Sequence, residues 1–555
     1  MLGGKLIPGW GDAQLTDELR DTPASWTLSR TWLSFAFLIP AVVASIAWHW
    51  GRPWIVSDTA TGLLAWKSWQ AGGPWNCVLE PSPADLARDT YSWISWWSPG
   101  QYVWPGIFWS MRLSLGDALI VSGVVASWLR SIGFYLLMRK VGLSALPAAI
   151  FCAVEASSWH LFWSFGMYSG GEVVQATIIP WLILAFAHLR GRMRWWLPTV
   201  PFLLFGAAFG KHSAFIAGLA ATLWLWWETI ATARRSKWRW ISSAALLTGA
   251  VAAAHWAIAR WITGSGPTPA GFGQVSHGWW LALGYPAFAP VSAAFGAGSL
   301  IGRAFAVLQI SSDGWQRIAV WCALLAPVWL AFYTWLAKHA PTPSFRRLLL
   351  AFLAVYIPVL VVLYAAGASI SIEDRHARPV GMLVLAAITA VAFSATRVRR
   401  SIRHGLTFVV FATAVYGLAA ETARAVTLAR LDRVGPSGIT QPDVSTTSMI
   451  ELLRRDRSGA GMGQVIFVGD PKMALEVRES RVISTDAGSR PMPWFRERTW
   501  RGRVPKLLLV LPATWNIDPR TDALRLSFVD YRSDEWRSEI VGDCLFLHVD
   551  ADIKP

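Results

Sequence analysis

Residues 371–381 read SIEDRHARPVG and place Glu373, Asp374, Arg375, His376 and Arg378 between two apolar runs, 348–367 and 379–396, each long enough to cross a bilayer. Reversing the chain between two spans needs only a short polar turn, so the concentration of charge asks for a reason. Working outward, apolar windows of about 20 residues, enough for about 30 Å of hydrocarbon, recur from Thr31 to about Arg424 and then stop. The spacing predicts spans at 31–50, 117–138, 143–160, 173–189, 196–209, 213–231, 241–259, 317–337, 348–367, 379–396 and 405–425. The expected fold is therefore an α-helical polytopic membrane protein with about eleven transmembrane helices and a C-terminal soluble α/β domain over 431–555.

Composition agrees with a membrane chain. Of 555 residues 54% are hydrophobic and 15% charged, against about 25% charged in ordinary soluble proteins, and the mean hydropathy is +0.39. The formal charge of +16 would suit nucleic acid, but residues 431–555 hold 18 Lys and Arg against 18 Asp and Glu, so the excess lies among the spans and no nucleic-acid partner is expected. Residues 1–30 lack the basic start and short apolar core of a cleavable signal peptide; 31–50 is read as an uncleaved first span behind a cytoplasmic segment. Cys77, Cys152, Cys322 and Cys544 show neither a CxxC pair nor metal-ligand spacing.

Charge also orients the chain. The connections at 139–140, 190–194, 234–239, 338–347 and 397–403 are basic, and those between them are nearly free of Lys and Arg. The positive-inside rule makes the basic set cytoplasmic. Loop 51–116, the turn at 161–172, Gly210-Lys211-His212, loop 260–316, SIEDRHARPVG and the soluble domain then share the extracytoplasmic face. The 37 tryptophans, many near span ends, suit an interfacial belt.

On that face Asp58 follows the first span by about eight residues. It reads either as the N-cap of an interfacial helix starting at Thr59 or as a general base facing a cavity. Glu172 opens another helix, where an acid suits the macrodipole. Lys211 and His212 occupy a turn that is otherwise apolar, and His160 and His277 read as structural. The Gly- and Pro-rich loop 260–316 reads as a mobile lid or an inert connection.

Taken in order, these pieces resemble the GT-C class of integral-membrane glycosyltransferases, in the branch of protein mannosyltransferases and lipid A aminoarabinose transferases. The matching positions are Asp58 at the head of loop 51–116, the proline-containing stretch Trp97-Ser-Pro-Gly-Gln-Tyr102, Tyr168-Ser-Gly-Gly-Glu172, and Glu373-Asp-Arg-His-Ala-Arg-Pro379, where His376 stands at a position usually held by tyrosine. The resemblance implies a long extracytoplasmic loop built on two interfacial helices, in a bacterial-type inner membrane. It also implies a sugar donor carried on polyprenyl phosphate and an extracytoplasmic acceptor: a glycan, a lipid or a protein.

Such chemistry needs a base, here Asp58, with Glu172 as a second carboxylate. It needs cations for the lipid phosphate, here Arg375 and Arg378 with Lys211 and His212 next, since Arg grips phosphate in bidentate fashion. Glu373, Asp374 and His376 would support them. No cofactor is expected; Asp58, Asp89 and Glu172 could ligate a hard cation, but relatives that use a monophosphate carrier manage without metal. Other readings are a polymerase or ligase of lipid-linked glycans, and a non-catalytic scaffold or transporter subunit.

In the soluble domain, Gln464–Val468, Lys506–Leu511 and Asp543–Val549 read as strands and Pro471–Glu479 as a helix. No nucleotide-binding glycine motif accompanies them.

Overall fold

The computed structural model describes residues 53–549 except 96, 158–169, 233–236, 265–278, 298–319, 369, 371–373, 396, 432, 461–462, 486–496, 502–505 and 533–534. The segment 1–30, the expected span 31–50, His160, His277 and Glu373 lie outside the described residues, as does much of loop 260–316.

The first loop begins with helix α1 (Ser57–Gln70), followed after Ala71 by Gly72 at φ +90°. A hairpin of β1 (Cys77–Ser82) and β2 (Asp85–Trp93) follows, then helix α2 (Gly100–Trp109). Asn76 closes the hairpin at φ +58°, a conformation asparagine tolerates better than most residues, and its amide donates to the Ile94 carbonyl at 2.8 Å. Two helices do frame the loop, and the hairpin between them is a feature the sequence reading did not contain.

The membrane helices are α3 (Leu115–Lys140), α4 (Ala145–Ser157), α5 (Gly171–His188), α6 (Trp196–Gly210), α7 (Ala214–Thr232), α8 (Lys237–Ile258), α9 (Trp279–Phe295), α10 (Ala326–Lys338), α11 (Pro343–Ala365), α12 (Arg378–Ser394) and α13 (Arg400–Leu431). Local chemistry sets their ends. The Ser114 hydroxyl accepts the Asp117 amide at 3.1 Å at the start of α3, and Arg139 and Lys140 sit in its last turn, where cations suit the helix dipole. Thr342 caps α11 in the same way, with Pro343 at its first position. Among the described residues seven helices are long and apolar enough to cross a membrane; α4, α6, α9 and α10 are apolar but shorter. The molecule is an integral membrane protein.

One segment departs from expectation. Within 260–316, which the sequence suggests is a loop, residues 279–295 form α9, packed on α11 and α12 despite Pro286 and Pro290. The fit is close: a Cβ on Gly381 of α12 would lie 2.7 Å from the Ala293 Cβ. Interior prolines cost a helix about 3 kcal/mol each. Burial of Ala282, Tyr285, Phe288, Ala289 and Ala293 against the bundle offsets that cost.

Two glutamates of these helices, Glu155 and Glu228, are fully buried and paired with arginine. Arg130 on α3 meets Glu155 on α4 at 3.1 Å, both at most 1% exposed. Glu228 near the end of α7 is held by Arg190 at 2.5 Å and Arg347 at 2.7 Å.

Beyond α13 come α14 (Thr446–Ser458), β3 (Val465–Val468), the short α15 (Pro471–Ala474), β4 (Arg481–Ser484), β5 (Leu507–Pro512), α16 (Pro519–Leu526), β6 (Arg537–Val541) and β7 (Cys544–Val549). The sheet order is β4-β3-β5-β7-β6, parallel across β4, β3 and β5 and antiparallel across β5, β7 and β6. Strands β3 and β5 are buried on both faces, which is why they read as unbroken apolar runs. The helix expected over Pro471–Glu479 is confined to Pro471–Ala474. The amides of Arg478, Glu479 and Ser480 are instead collected by the buried Asp456 carboxylate at 2.8 to 3.3 Å.

One apolar core joins this sheet to the first loop. Ile55, Ala60, Leu63 and Trp66 of the α1 region, Tyr102 of α2 and Leu115 of α3 pack with Ile466, Val468, Met473, Leu508 and Phe546. A second core covers the sheet's other face, and a third fills the helical bundle.

Candidate active site

Helix α1 begins at Ser57 behind Val56, which has no side-chain cap, so Asp58 sits in the first turn and does not cap a helix starting at Thr59. Its half-buried carboxyl accepts a hydrogen bond from the Trp97 indole, just ahead of α2, and feels Arg375, Glu172 and Lys211. Burial pushes the Asp58 carboxyl up from its usual range; Arg375 pulls it down again and Glu172 adds to the rise.

Glu172 lies in the first turn of α5 and is 3% exposed. Its Oε1 is 2.5 Å from the Lys211 Nζ and 3.7 Å from the Arg375 Nη1. Lys211 follows the last residue of α6 in an extended conformation, which turns its stem back toward α5; a Cβ on Gly171 would lie 3.1 Å from the Lys211 Cδ. Burial lowers the Lys211 ammonium from its usual range, and Glu172 opposes that shift. One carboxylate thus holds two cations, and a second carboxyl lies within their field.

The remaining expected residues distribute around this cluster. His376 is within reach of the Arg375, Lys211 and Glu172 charges, and its Nε2 finds no hydrogen-bond partner among the described residues. His212 turns toward the Ser95 backbone; burial pushes it down to about 4, so its imidazole is neutral near pH 7. Asp374 accepts a hydrogen bond from Ser292 of α9, which ties the SIEDRHARPVG turn to that helix. Arg378 is buried at the start of α12. Asp89 bonds Arg481 of β4 at 2.9 Å, in the sheet domain. Among the described residues no three His, Cys, Asp or Glu side chains gather as a metal site requires.

Two contributors escaped the sequence reading. Trp97 bonds Asp58, and the buried Gln101 lies against Gly171, with its amide nitrogen lacking a hydrogen-bond partner among the described residues. Both fall in the stretch Trp97-Ser-Pro-Gly-Gln-Tyr102, whose proline drew notice while its polar side chains did not.

An apolar cavity of about 600 Å³ opens beside the cluster between α2, α3, α5 and α6. Trp104, Ile178, Trp181, Phe202 and Phe209 line it, and Gly206, where a Cβ would meet nothing within 4 Å, leaves room on α6. Gly210 directly precedes Lys211, and Val174, also on the wall, is two residues from Glu172. The cavity wall thus adjoins Lys211 along the chain, while Asp58, Glu172, Lys211 and Arg375 are not among its lining residues.

No protein-family model matches the chain, and no curated protein matches it by sequence. Among solved structures it is similar to ArnT from Cupriavidus metallidurans in the apo state, with 11% identity and a TM-score of 0.47 over 95% of this chain and 100% of that one. It is similar to the same protein bound to undecaprenyl phosphate, with 11% identity and a TM-score of 0.46 over 94% of this chain and 99% of that one. A third similarity is to the arabinofuranosyltransferase AftD from Mycobacteria, at 13% identity and a TM-score of 0.46, covering 94% of this chain and 40% of that one.

Proposed function

We propose that this protein is a membrane glycosyltransferase that moves a sugar from a polyprenyl-phosphate donor to an acceptor hydroxyl on the extracytoplasmic side. The observation that carries the reading is a cluster of two carboxyls and two cations, Asp58, Glu172, Lys211 and Arg375, near an apolar groove whose wall residue Gly210 directly precedes Lys211. A lipid phosphate needs that combination: apolar walls for its chain and fixed positive charge for its head. The motif order that resembles GT-C enzymes supports the same reading.

In the proposed reaction the chain lies in the groove and its phosphate reaches Lys211 and Arg375. Asp58 takes the proton of the acceptor hydroxyl as that oxygen attacks the anomeric carbon. The bond from that carbon to the phosphate oxygen breaks, and the electron pair leaves with the lipid phosphate. Cations already in place stabilise this charge without reorganisation. Glu172 keeps Lys211 and Arg375 charged and aimed before the donor arrives, and Trp97 fixes the Asp58 carboxyl. The basic connections on the opposite side support an extracytoplasmic site.

The test is transfer of labelled sugar from a polyprenyl-phosphate donor by purified protein, wild type against Asp58→Asn. Turnover should fall by about 10²- to 10⁴-fold, the scale of a positioned general base, with binding of the lipid phosphate retained. Equal rates in the two proteins would remove Asp58 from the mechanism.

A further inference from the structure

The C-terminal domain grips helix α1 at both ends through two adjacent residues. At one end Glu476, fully buried, accepts the Ser437 amide at 3.0 Å and the Ser437 hydroxyl. Ser437 belongs to a tight strap over residues 433–441, closed on itself by the Gly435 amide to the Ile439 carbonyl at 3.0 Å and the Gln441 amide to the Arg433 carbonyl at 2.8 Å. That strap reaches outward twice. The Thr440 amide donates to the Pro53 carbonyl at 2.8 Å, five residues before Asp58, and the Ser437 carbonyl accepts the Gly116 amide at 2.8 Å in the first turn of α3. At the far end of α1, the Lys67 ammonium donates to the carbonyl of Val477 at 2.7 Å.

The packing leaves this junction little slack. A Cβ on Gly435 would lie 2.2 Å from the Glu476 carboxylate, and one on Gly116 would lie 2.2 Å from the Gly438 carbonyl oxygen. The strap therefore touches the Glu476 carboxylate on one side and the start of α3 on the other, and a shift of one is passed through it to the other.

We propose that Glu476 and Lys67 are positioning residues that hold α1, and with it Asp58, in register with Glu172 on α5, Lys211 after α6 and Arg375 of the SIEDRHARPVG turn. This inference rests on the glycosyltransferase reading for its effect on rate, though the clamp itself is a statement about α1. The soluble domain then supports the reaction mechanically and touches no reacting atom. Glu476→Gln keeps the side chain's shape but gives up one acceptor for the two Ser437 donors. Lys67→Met keeps an apolar stem and loses the bond to Val477.

The test pairs two readouts on each full-length variant in detergent: labelled-sugar transfer and amide hydrogen exchange. The expected result is a fall in kcat of about ten- to a hundredfold, the scale of a displacement near 1 Å, with KM for the donor unchanged. Exchange should quicken at 54–60 for Glu476→Gln and at 64–70 for Lys67→Met, while β3 and β5 stay protected. Unchanged exchange in α1 would overturn the proposal. So would faster exchange throughout β3 and β5, because the residues would then serve domain stability in general. If the wild-type protein transfers sugar from no polyprenyl-phosphate donor, the enzymatic reading falls while the exchange arm still decides the clamp.

Discussion

On the proposed reading, the burial of Asp58 and Lys211 sets the pH range of the reaction. Asp58 is raised above its usual 3.8, so transfer should decline as pH falls through that raised value, where the carboxyl takes up a proton and can no longer accept one. Lys211 is lowered below its usual 10.5, so the alkaline limb should fall on the near side of that value as the ammonium loses its charge. A profile of kcat/KM against pH for labelled transfer checks both limbs, and Lys211→Arg should carry the alkaline limb upward. Lys211→Met should cost about 3 kcal/mol, since it removes the nearer partner of a buried carboxylate; the unfolding midpoint in detergent measures this. At this scale the sequence was informative where charge stood out against an apolar background, as at Asp58, Glu172, Lys211 and Arg375. It was silent on Trp97 and Gln101, because an indole or an amide has no distinctive signal until folding brings its partner to it. It also could not distribute the SIEDRHARPVG charges, since Asp374 is met by Ser292, a residue of a helix it did not predict.

Elements were legible in proportion to how local their signal is. Hydropathy found the positions of α3 to α8 and α10 to α13 because burying apolar side chains along a helix needs no knowledge of neighbours. The same reasoning missed α9, whose two prolines are tolerated only because α11 and α12 pack around it. The groove yields a prediction at this scale. A Cβ on Gly206 would meet nothing within 4 Å, so Gly206→Trp should fold and obstruct the groove. The KM for a long-chain donor should rise about tenfold, near 1.4 kcal/mol, the burial of roughly two methylenes, with a short-chain donor unaffected; steady-state transfer with both donors checks it. The pair between α3 and α4 yields another. Arg130→Met leaves Glu155 buried without its partner and should cost about 3–5 kcal/mol, whereas Arg130→Met with Glu155→Leu should recover most of that. Thermal unfolding of the two proteins distinguishes the outcomes.

For the molecule as a whole, the sequence separates a membrane part from a neutral, strand-bearing tail, and the structure adds that the two share a core. Strands β3, β5 and β7 were readable because both faces are apolar; their order was not, since pairing depends on contacts across the chain. Nor could the strap be foreseen, as its effect lies in backbone groups of Ser437 and Thr440 that every residue type carries. The junction has a consequence in time. Lys67 and the carbonyl that receives it are 410 residues apart, so a ribosome delivers α1 long before the residues that anchor it. Until residues 433–549 fold, the helix bearing Asp58 lacks the side chains that they add to its core. On the proposed reading, competence for transfer waits until residues 433–477 have folded, and a nascent chain stalled before Ser437 carries Asp58, Glu172, Lys211 and Arg375 without the strap that anchors α1.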